Sequence, residues 1–300
     1  MPNDRDRRAD TVSRRDALTT LGTSAAAGAL GAALSPLAAV ASALEPLPRG
    51  RLRQSVARWC YASTKIHDLC AAAKSMGLVG VDLLGPDEWE VPKQYGLECT
   101  MGNSWGTIPV GFNRLNQHEK LVGDGEAYIP RAAAAGVKKI VVFSGNRGGL
   151  SDAEGIANCI TGLKRLMPTA ERHGVVLCME MLNSKVDHKD YHADHTAWAV
   201  EVAKGVGSPS FRLLYDIYHM QVMEGDVIAT IKANLPWIAH FHTAGVPGRN
   251  EIDGGQELNY RGIADYIAGT GYGGVFAHEF IPRGRDGMQS LRDAVATCLV

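Results

Sequence analysis

The chain has 300 residues, with 31 Lys and Arg against 32 Asp and Glu, 45% hydrophobic and 21% charged. This is ordinary globular composition with enough apolar material for a full core, and it excludes a disordered, collagen-like or coiled-coil chain. A net charge of −1 supplies no cationic field for phosphate backbones or anionic lipid, which argues against a nucleic-acid partner and leaves small neutral or anionic substrates open.

The first 43 residues read differently from the rest. A stretch rich in Arg and Asp ends in Ser13-Arg14-Arg15-Asp16-Ala17-Leu18, and a mildly apolar run of Ala, Gly, Leu, Ser and Thr follows to Ala39. Ala39-Val40-Ala41 and Ala41-Ser42-Ala43 then offer small-x-small cleavage sites. Twin arginines before a weakly hydrophobic segment resemble a twin-arginine export signal, so the expectation is a removable leader over 1–43. It implies recognition by the twin-arginine machinery and a periplasmic location. A membrane anchor fits less well, because Gly, Ser and Thr dilute the run and Pro36 breaks it. Loss of the leader takes five Arg and four Asp and leaves 26 basic against 28 acidic side chains.

Residues 44–300 make 257 residues, close to the roughly 250 of a (β/α)8 barrel. Short β-rich runs recur at Gln54–Tyr61, Gly80–Leu84, Leu97–Met101, Lys139–Ser144, Val175–Leu182, Phe211–Ile217, Ile238–Thr243 and Gly274–Phe280. Helical patterns alternate with them at about 64–76, 118–135, 194–205, 224–234, 260–268 and 290–299. A further helix after the fourth strand is the clearest. Ser151-Asp152 caps it, Ile156, Ile160, Leu163, Leu166 and Met167 return at helical spacing, and Gly174 ends it. Pro92 leaves room only for a helical stub in the second unit. Strand-helix alternation of this kind predicts one α/β domain, a TIM barrel with a parallel sheet. A doubly wound open sheet is the alternative, but no G-x-G-x-x-G follows an early strand. The six cysteines form no C-x-x-C pair and read as single thiols, mostly buried.

Barrel enzymes place their chemistry at the carboxyl ends of strands. Four polar residues end apolar runs there: Glu180 in Cys178-Met179-Glu180, Asp216 in Leu214-Tyr215-Asp216, His242 in His240-Phe241-His242, and Glu279 in Ala277-His278-Glu279. Their separations of 36, 26 and 37 residues place them on consecutive strands five to eight. Side chains alternate along a strand, so Cys178, Leu214, His240 and Ala277 share their faces and form the layer below. Three converging carboxylates repel unless a cation joins them, and a divalent metal removes the conflict. Carboxylates with one imidazole favour Mn2+ or Mg2+, with Co2+ or Zn2+ as alternatives.

The segments Leu214-Tyr215-Asp216-Ile217-Tyr218-His219-Met220-Gln221, Pro247-Gly248-Arg249-Asn250-Glu251, Gln256-Glu257-Leu258-Asn259-Tyr260 and Glu279-Phe280-Ile281-Pro282-Arg283-Gly284 resemble the hydroxypyruvate isomerase family of xylose-isomerase-like barrels. Glu180-Met181-Leu182-Asn183-Ser184 is similar to the same family's fifth strand. The resemblance implies that Glu180, Asp216, His242 and Glu279 are metal ligands, that Glu180 and Glu279 are the catalytic acid and base pair, and that His219 faces the substrate. The chemistry agrees, since a divalent cation acidifies the C–H beside a hydroxyketone carbonyl, and two carboxylates can move that proton through an enediolate. His219 would donate to a substrate oxygen.

Arg249, in a Gly- and Pro-rich loop after the seventh strand, is placed to meet a substrate carboxylate or to pair with Glu251 or Glu257. Glu257 and His240 are expected to orient ligands. Asn183 and Lys185 follow the fifth strand, and Asn146 and Arg147 the fourth, at the rim. Trp59, Trp89, Trp105 and Trp237 would pack in the core or stack on a sugar.

The expected function is a metal-dependent isomerase of a sugar or hydroxyketone. The alternative is a ketose 3-epimerase, whose pattern has a histidine at the position of His242 but a further glutamate where this chain has Val186. A non-catalytic periplasmic sugar-binding barrel has no need of the Glu180 and Glu279 pair. An abasic-site nuclease of the endonuclease IV type needs histidines that 82–85, 100–105 and 248–251 lack. A homo-oligomer remains open.

Overall fold

The computed structural model describes residues 50–300, so the leader expected over 1–43 lies outside the described residues. Eight strands are present: β1 (Arg53–Ala57), β2 (Gly80–Leu84), β3 (Glu98–Gly102), β4 (Lys139–Val142), β5 (Val176–Glu180), β6 (Phe211–Asp216), β7 (Ile238–Thr243) and β8 (Val275–His278). Every neighbouring pair is parallel, and β8 closes on β1 through Arg53 opposite Val275. The expected barrel is therefore the observed fold, and the doubly wound alternative is set aside. The strands are almost continuously buried, as parallel strands covered on both faces must be.

Eight α-helices accompany the strands among the described residues: α1 (Ile66–Ser75), α2 (His118–Ala134), α3 (Asp152–His173), α4 (Thr196–Val206), α5 (Ile217–Met223), α6 (Val227–Asn234), α7 (Tyr260–Gly269) and α8 (Gly287–Thr297). A 3-10 turn at Pro92–Tyr95 replaces the helix of the second unit, as the proline there predicts. In α3 the Ser151 and Glu154 capping box satisfies the first free N–H groups, and Gly174 ends the helix at φ 64°, a conformation that costs glycine little. Leu163 and Leu166 of α3 are fully buried, each contributing about 1.5–3 kcal/mol by its transfer from water.

The region between β6 and β7 differs from the expectation of one helix over 224–234. Asp216 ends β6 and caps α5 at once, its Oδ1 accepting from the backbone N–H groups of Tyr218 (2.8 Å) and His219 (3.4 Å). Gly225 and Asp226, both at positive φ, then separate α5 from α6. The cap brings His219 onto the first turn above the strand.

Two apolar layers hold the barrel. Residues such as Leu177, Met179, Leu213 and Phe241 face the helices, whereas Ala57, Leu83, Met101, Val141, Cys178 and Leu214 form a separate cluster. Cys178 and Leu214 thus lie in one layer, as strand alternation predicts. All six cysteines are free thiols. In β2 the register with β3 shifts around Asp82, and Leu83 takes φ 56°. This bulge brings both Asp82 and Leu83 into the barrel, where regular alternation would send one outward. A left-handed leucine costs about 1–2 kcal/mol, so the surrounding structure must impose it.

The loops after β7 and β8 are laced together. Ile281 donates to the Arg249 carbonyl (2.8 Å), and Glu251 accepts from the backbone of Arg283 (2.7 Å) and Gly284 (3.0 Å) and from Ser290 Oγ (3.1 Å). Burial works against ionisation of Glu251, but backbone N–H groups of Glu251, Gly284 and Arg283 outweigh it and hold its carboxyl down to about 2. Because the folded value is depressed, the stabilisation is complete above the usual carboxyl range near 4.5 and is lost as pH falls through about 2. Glu251→Gln is expected to cost about 1–3 kcal/mol at pH 7, with the deficit shrinking over that acid window. Urea unfolding at pH 7 and pH 3 checks this, and a pH-independent deficit would contradict it.

Candidate active site at the barrel mouth

The four residues expected at the strand ends come together. Glu180 ends β5, Asp216 ends β6, His242 is the penultimate residue of β7, and Glu279 follows β8. One ligand atom from each lies within 4.8 Å of the others, and all four side chains are buried. His242 Nδ1 is 3.2 Å from Glu180 Oε1 and 3.0 Å from Glu279 Oε2.

Burial pushes the Glu180 and Asp216 carboxyls up, and the charge of Glu279 adds to the effect. Burial also opposes ionisation of Glu279, but His242 and Arg249 outweigh it and hold that carboxyl well below the usual range. The His242 imidazole is raised, because Glu279, Asp82 and Glu180 overcome its desolvation.

These residues fit a divalent cation on their own geometry. His242 Nε2 lies 2.8 Å from Asp82 Oδ2, a carboxylate that only accepts, so the Nε2 proton is engaged there. The ring Nδ1 then faces two carboxylate oxygens, an arrangement that requires a proton on Nδ1 or a cation in its place. Asp216 Oδ2 is buried without a hydrogen-bond partner, although Oδ1 of the same group caps α5. With Glu180, Asp216, Glu279 and the adjoining Asp82 ionised and Arg249 protonated, the constellation carries −3, an excess of negative charge that favours a cation. Oxygen donors with one imidazole suit Mn2+ or Mg2+ best.

His219 is wholly buried, and its Nδ1 accepts from the backbone N–H (3.2 Å) and side-chain amide (2.7 Å) of Asn183. A backbone N–H can only donate, so the ring proton sits on Nε2. That Nε2–H lies 3.5 Å from Asp216 Oδ2 and has no hydrogen-bond partner. Burial and the neighbouring Arg249 keep the ring neutral. His219 thus presents a single neutral donor beside the cluster, the arrangement needed to stabilise charge developing on a substrate oxygen.

Arg249 does not pair with Glu251 or Glu257. Its Nη2 lies 2.8 Å from Glu279 Oε2 and 3.6 Å from Asp216 Oδ2, and its guanidinium sits over the rings of Trp59 (5.1 Å) and Tyr218 (5.6 Å). Glu251 is engaged by Arg283 instead. His240 sits one layer down, its Nε2 3.1 Å from Asp82 Oδ2, so it shares the carboxylate that orients His242. Glu257 corrects the expectation that it orients a ligand: it is exposed and accepts from Gln221 (3.0 Å). Lys185 donates to the Val222 and Met223 carbonyls at the end of α5, and Arg147 turns to Asp152 and Asp194.

Two members of the constellation escape a reading of strand ends. Asp82 lies beneath the mouth, fully buried, with Thr100 Oγ1 donating to its Oδ1 (2.6 Å). The signal for it is an acid inside the apolar run Gly80–Leu84. Trp59, a candidate only for packing or stacking, donates its Nε1–H to Glu279 Oε1 (2.6 Å). A cavity of about 480 Å³ opens over Glu180 and Glu279 and is bounded by Trp59, Phe143, His188 and Arg249.

Comparison with known proteins agrees with this architecture. The family described as "Xylose isomerase-like TIM barrel" matches residues 89–297. The chain is 27% identical over 227 residues to the "Putative hydroxypyruvate isomerase" of Homo sapiens, covering 75% of this chain and 78% of that protein. It is 28% identical over 223 residues to the "Hydroxypyruvate isomerase" of Escherichia coli (strain K12), covering 70% and 86%. Among solved structures, the 3-keto-D-glucoside 4-epimerase YcjR from E. coli superposes with a TM-score of 0.69 at 20% identity, over 82% of this chain and 98% of the other, a likeness of fold.

Proposed function

The chain belongs to the xylose isomerase-like TIM barrel family, and from that membership we propose that it is a divalent-metal-dependent isomerase of a sugar or hydroxyketone. The observation that carries the reading is the convergence of Glu180, Asp216, His242 and Glu279 within 4.8 Å at the barrel mouth. Those four would hold the ion, which when bound supplies Lewis-acid polarisation of a substrate carbonyl.

The remaining chemistry falls to this chain's own side chains. Glu180 and Glu279 both border the cavity. One takes the proton from the carbon beside the carbonyl, and the other returns a proton to the resulting enediolate. His219 donates through Nε2–H to the oxygen that gains charge. Arg249 and Trp59 hold Glu279 in place through both of its oxygens.

Return of the proton to the neighbouring carbon gives an aldose-ketose shift. Return to the same carbon from the other face gives epimerisation, a second reading favoured by the imidazole at position 242. The protein loaded with Mn2+ is expected to wash deuterium from D2O into the carbon beside the carbonyl of a hydroxyketone or ketose, followed by NMR. Exhaustive chelation should abolish the exchange and Mn2+ should restore it. Exchange undiminished after chelation would refute metal dependence, and no exchange with any hydroxycarbonyl compound would refute the isomerase reading. The products separate isomerase from epimerase.

A further inference from the structure

The cavity over Glu180 and Glu279 has a chemically mixed lining. Besides the carboxylates and Arg249 it is bounded by the apolar Leu83, Ile108, Val141, Phe143 and Leu182 and by the polar Asn103, Ser104 and His188. Leu83 is held in that lining by a β-bulge and a left-handed backbone, and Phe143 packs against the same inner layer of the barrel. A strained backbone at a ligand wall is maintained only when the rest of the fold dictates it. At about 480 Å³ the space belongs to the class of roughly 300–1,000 Å³ that encloses ligands of drug size.

The charges at the cavity point the same way. Arg249 is the one Lys or Arg among the described residues that line it, and Glu279 and Asp216 already engage it. Other basic side chains near the mouth are turned elsewhere, Lys185 to the carbonyls ending α5, Arg147 to Asp152 and Arg58 to Glu88. With a divalent cation in place, the four carboxylates Glu180, Asp216, Glu279 and Asp82 and the guanidinium of Arg249 leave the site at −1. A substrate carboxylate would add to that negative charge and would have to draw Arg249 away from Glu279, leaving one buried anion without its partner.

We infer that the substrate is an uncharged α-hydroxycarbonyl compound whose far end presents hydrocarbon or the C–H face of a ring to Phe143 and its neighbours, and that carboxylate-bearing substrates are selected against. The reacting end of this compound rests on the proposed isomerase function, but the selectivity of binding is measurable separately. It sets this chain apart from relatives named for hydroxypyruvate, which is a carboxylate.

Three probes share the group HOCH2–C(=O)– and differ only beyond it: hydroxypyruvate, dihydroxyacetone and 1-hydroxy-4-phenylbutan-2-one. Binding to the Mn2+-loaded protein is measured by calorimetry, and exchange by NMR in D2O on the same samples. The phenyl ketone is expected to bind tightest and hydroxypyruvate at least tenfold more weakly. Phe143→Ala should lower the ratio of phenyl ketone to dihydroxyacetone affinity about tenfold, in keeping with loss of a large apolar contact. Hydroxypyruvate binding as tightly as the phenyl ketone, an unchanged ratio in the folded Phe143→Ala protein, or no binding by either neutral probe would overturn the inference. The expected order of binding without exchange would support it while refuting the isomerase reading.

Discussion

Glu180→Gln is expected to reduce deuterium exchange about 10²–10⁴-fold at full metal occupancy, the usual worth of a positioned acid or base. The substitution keeps the length and one oxygen of the side chain but removes its ability to carry a proton. Among the described residues the one side-chain hydrogen-bond contact of Glu180 is His242 Nδ1 to Oε1 at 3.2 Å, where an amide NH2 can donate to the ring nitrogen, so the substitution strands no buried donor. Glu279→Gln should lose as much rate and more besides. Its Oε1 accepts from Trp59 and its Oε2 from Arg249, so an amide NH2 at either position faces a donor. Metal content must be measured on each variant, because both residues belong to the candidate ligand set. Exchange that survives Glu180→Gln in fully loaded protein would refute the assignment of the proton-transfer pair.

Asp82→Asn is expected to weaken Mn2+ affinity about 10–100-fold, although Asp82 is not one of the four candidate ligands. Its Oδ2 receives His242 Nε2 at 2.8 Å and His240 Nε2 at 3.1 Å. That contact fixes the proton on Nε2 of His242 and leaves Nδ1 for the cluster. Burial opposes ionisation of Asp82, but His240 and His242 outweigh it and hold the carboxyl below its usual range. An amide oxygen facing the two rings is a weaker acceptor than a carboxylate oxygen, and the amide NH2 then donates to Thr100 in a reversed hydrogen bond. Titration calorimetry with Mn2+ reads the affinity, and the imidazole ¹⁵N shifts read the tautomer of His242. A loss of thermal stability with affinity and tautomer unchanged would reduce Asp82 to a structural role.

The barrel was legible because its signals are local. Strand runs, the Ser151 cap and the Gly174 stop each depend on residues within a few positions of one another. The four strand-end residues were legible for a related reason: equal strand-helix spacing and alternation of side chains place them at one depth on one face. Arg249 was legible as a charge at the mouth but not in its direction. The sequence offers it Glu251 within two residues, whereas loop closure against Ile281 turns it to Glu279. Glu257 failed for the converse reason, since nearness in sequence to the site did not bring it under the ligands.

The sequence by itself determined the repeat of eight units and the identity of the residues at four strand ends, because periodic patterning is a property of neighbours along the chain. Only the tertiary structure decided what those residues meet. Asp82 reaches His242 across 160 positions of chain, and the pairing exists only once the barrel has closed. The cavity that gathers Leu83 and Phe143 with Glu180 and Glu279 is likewise a product of closure, because patterning along the chain shows which side chains are apolar but not which of them face a common space.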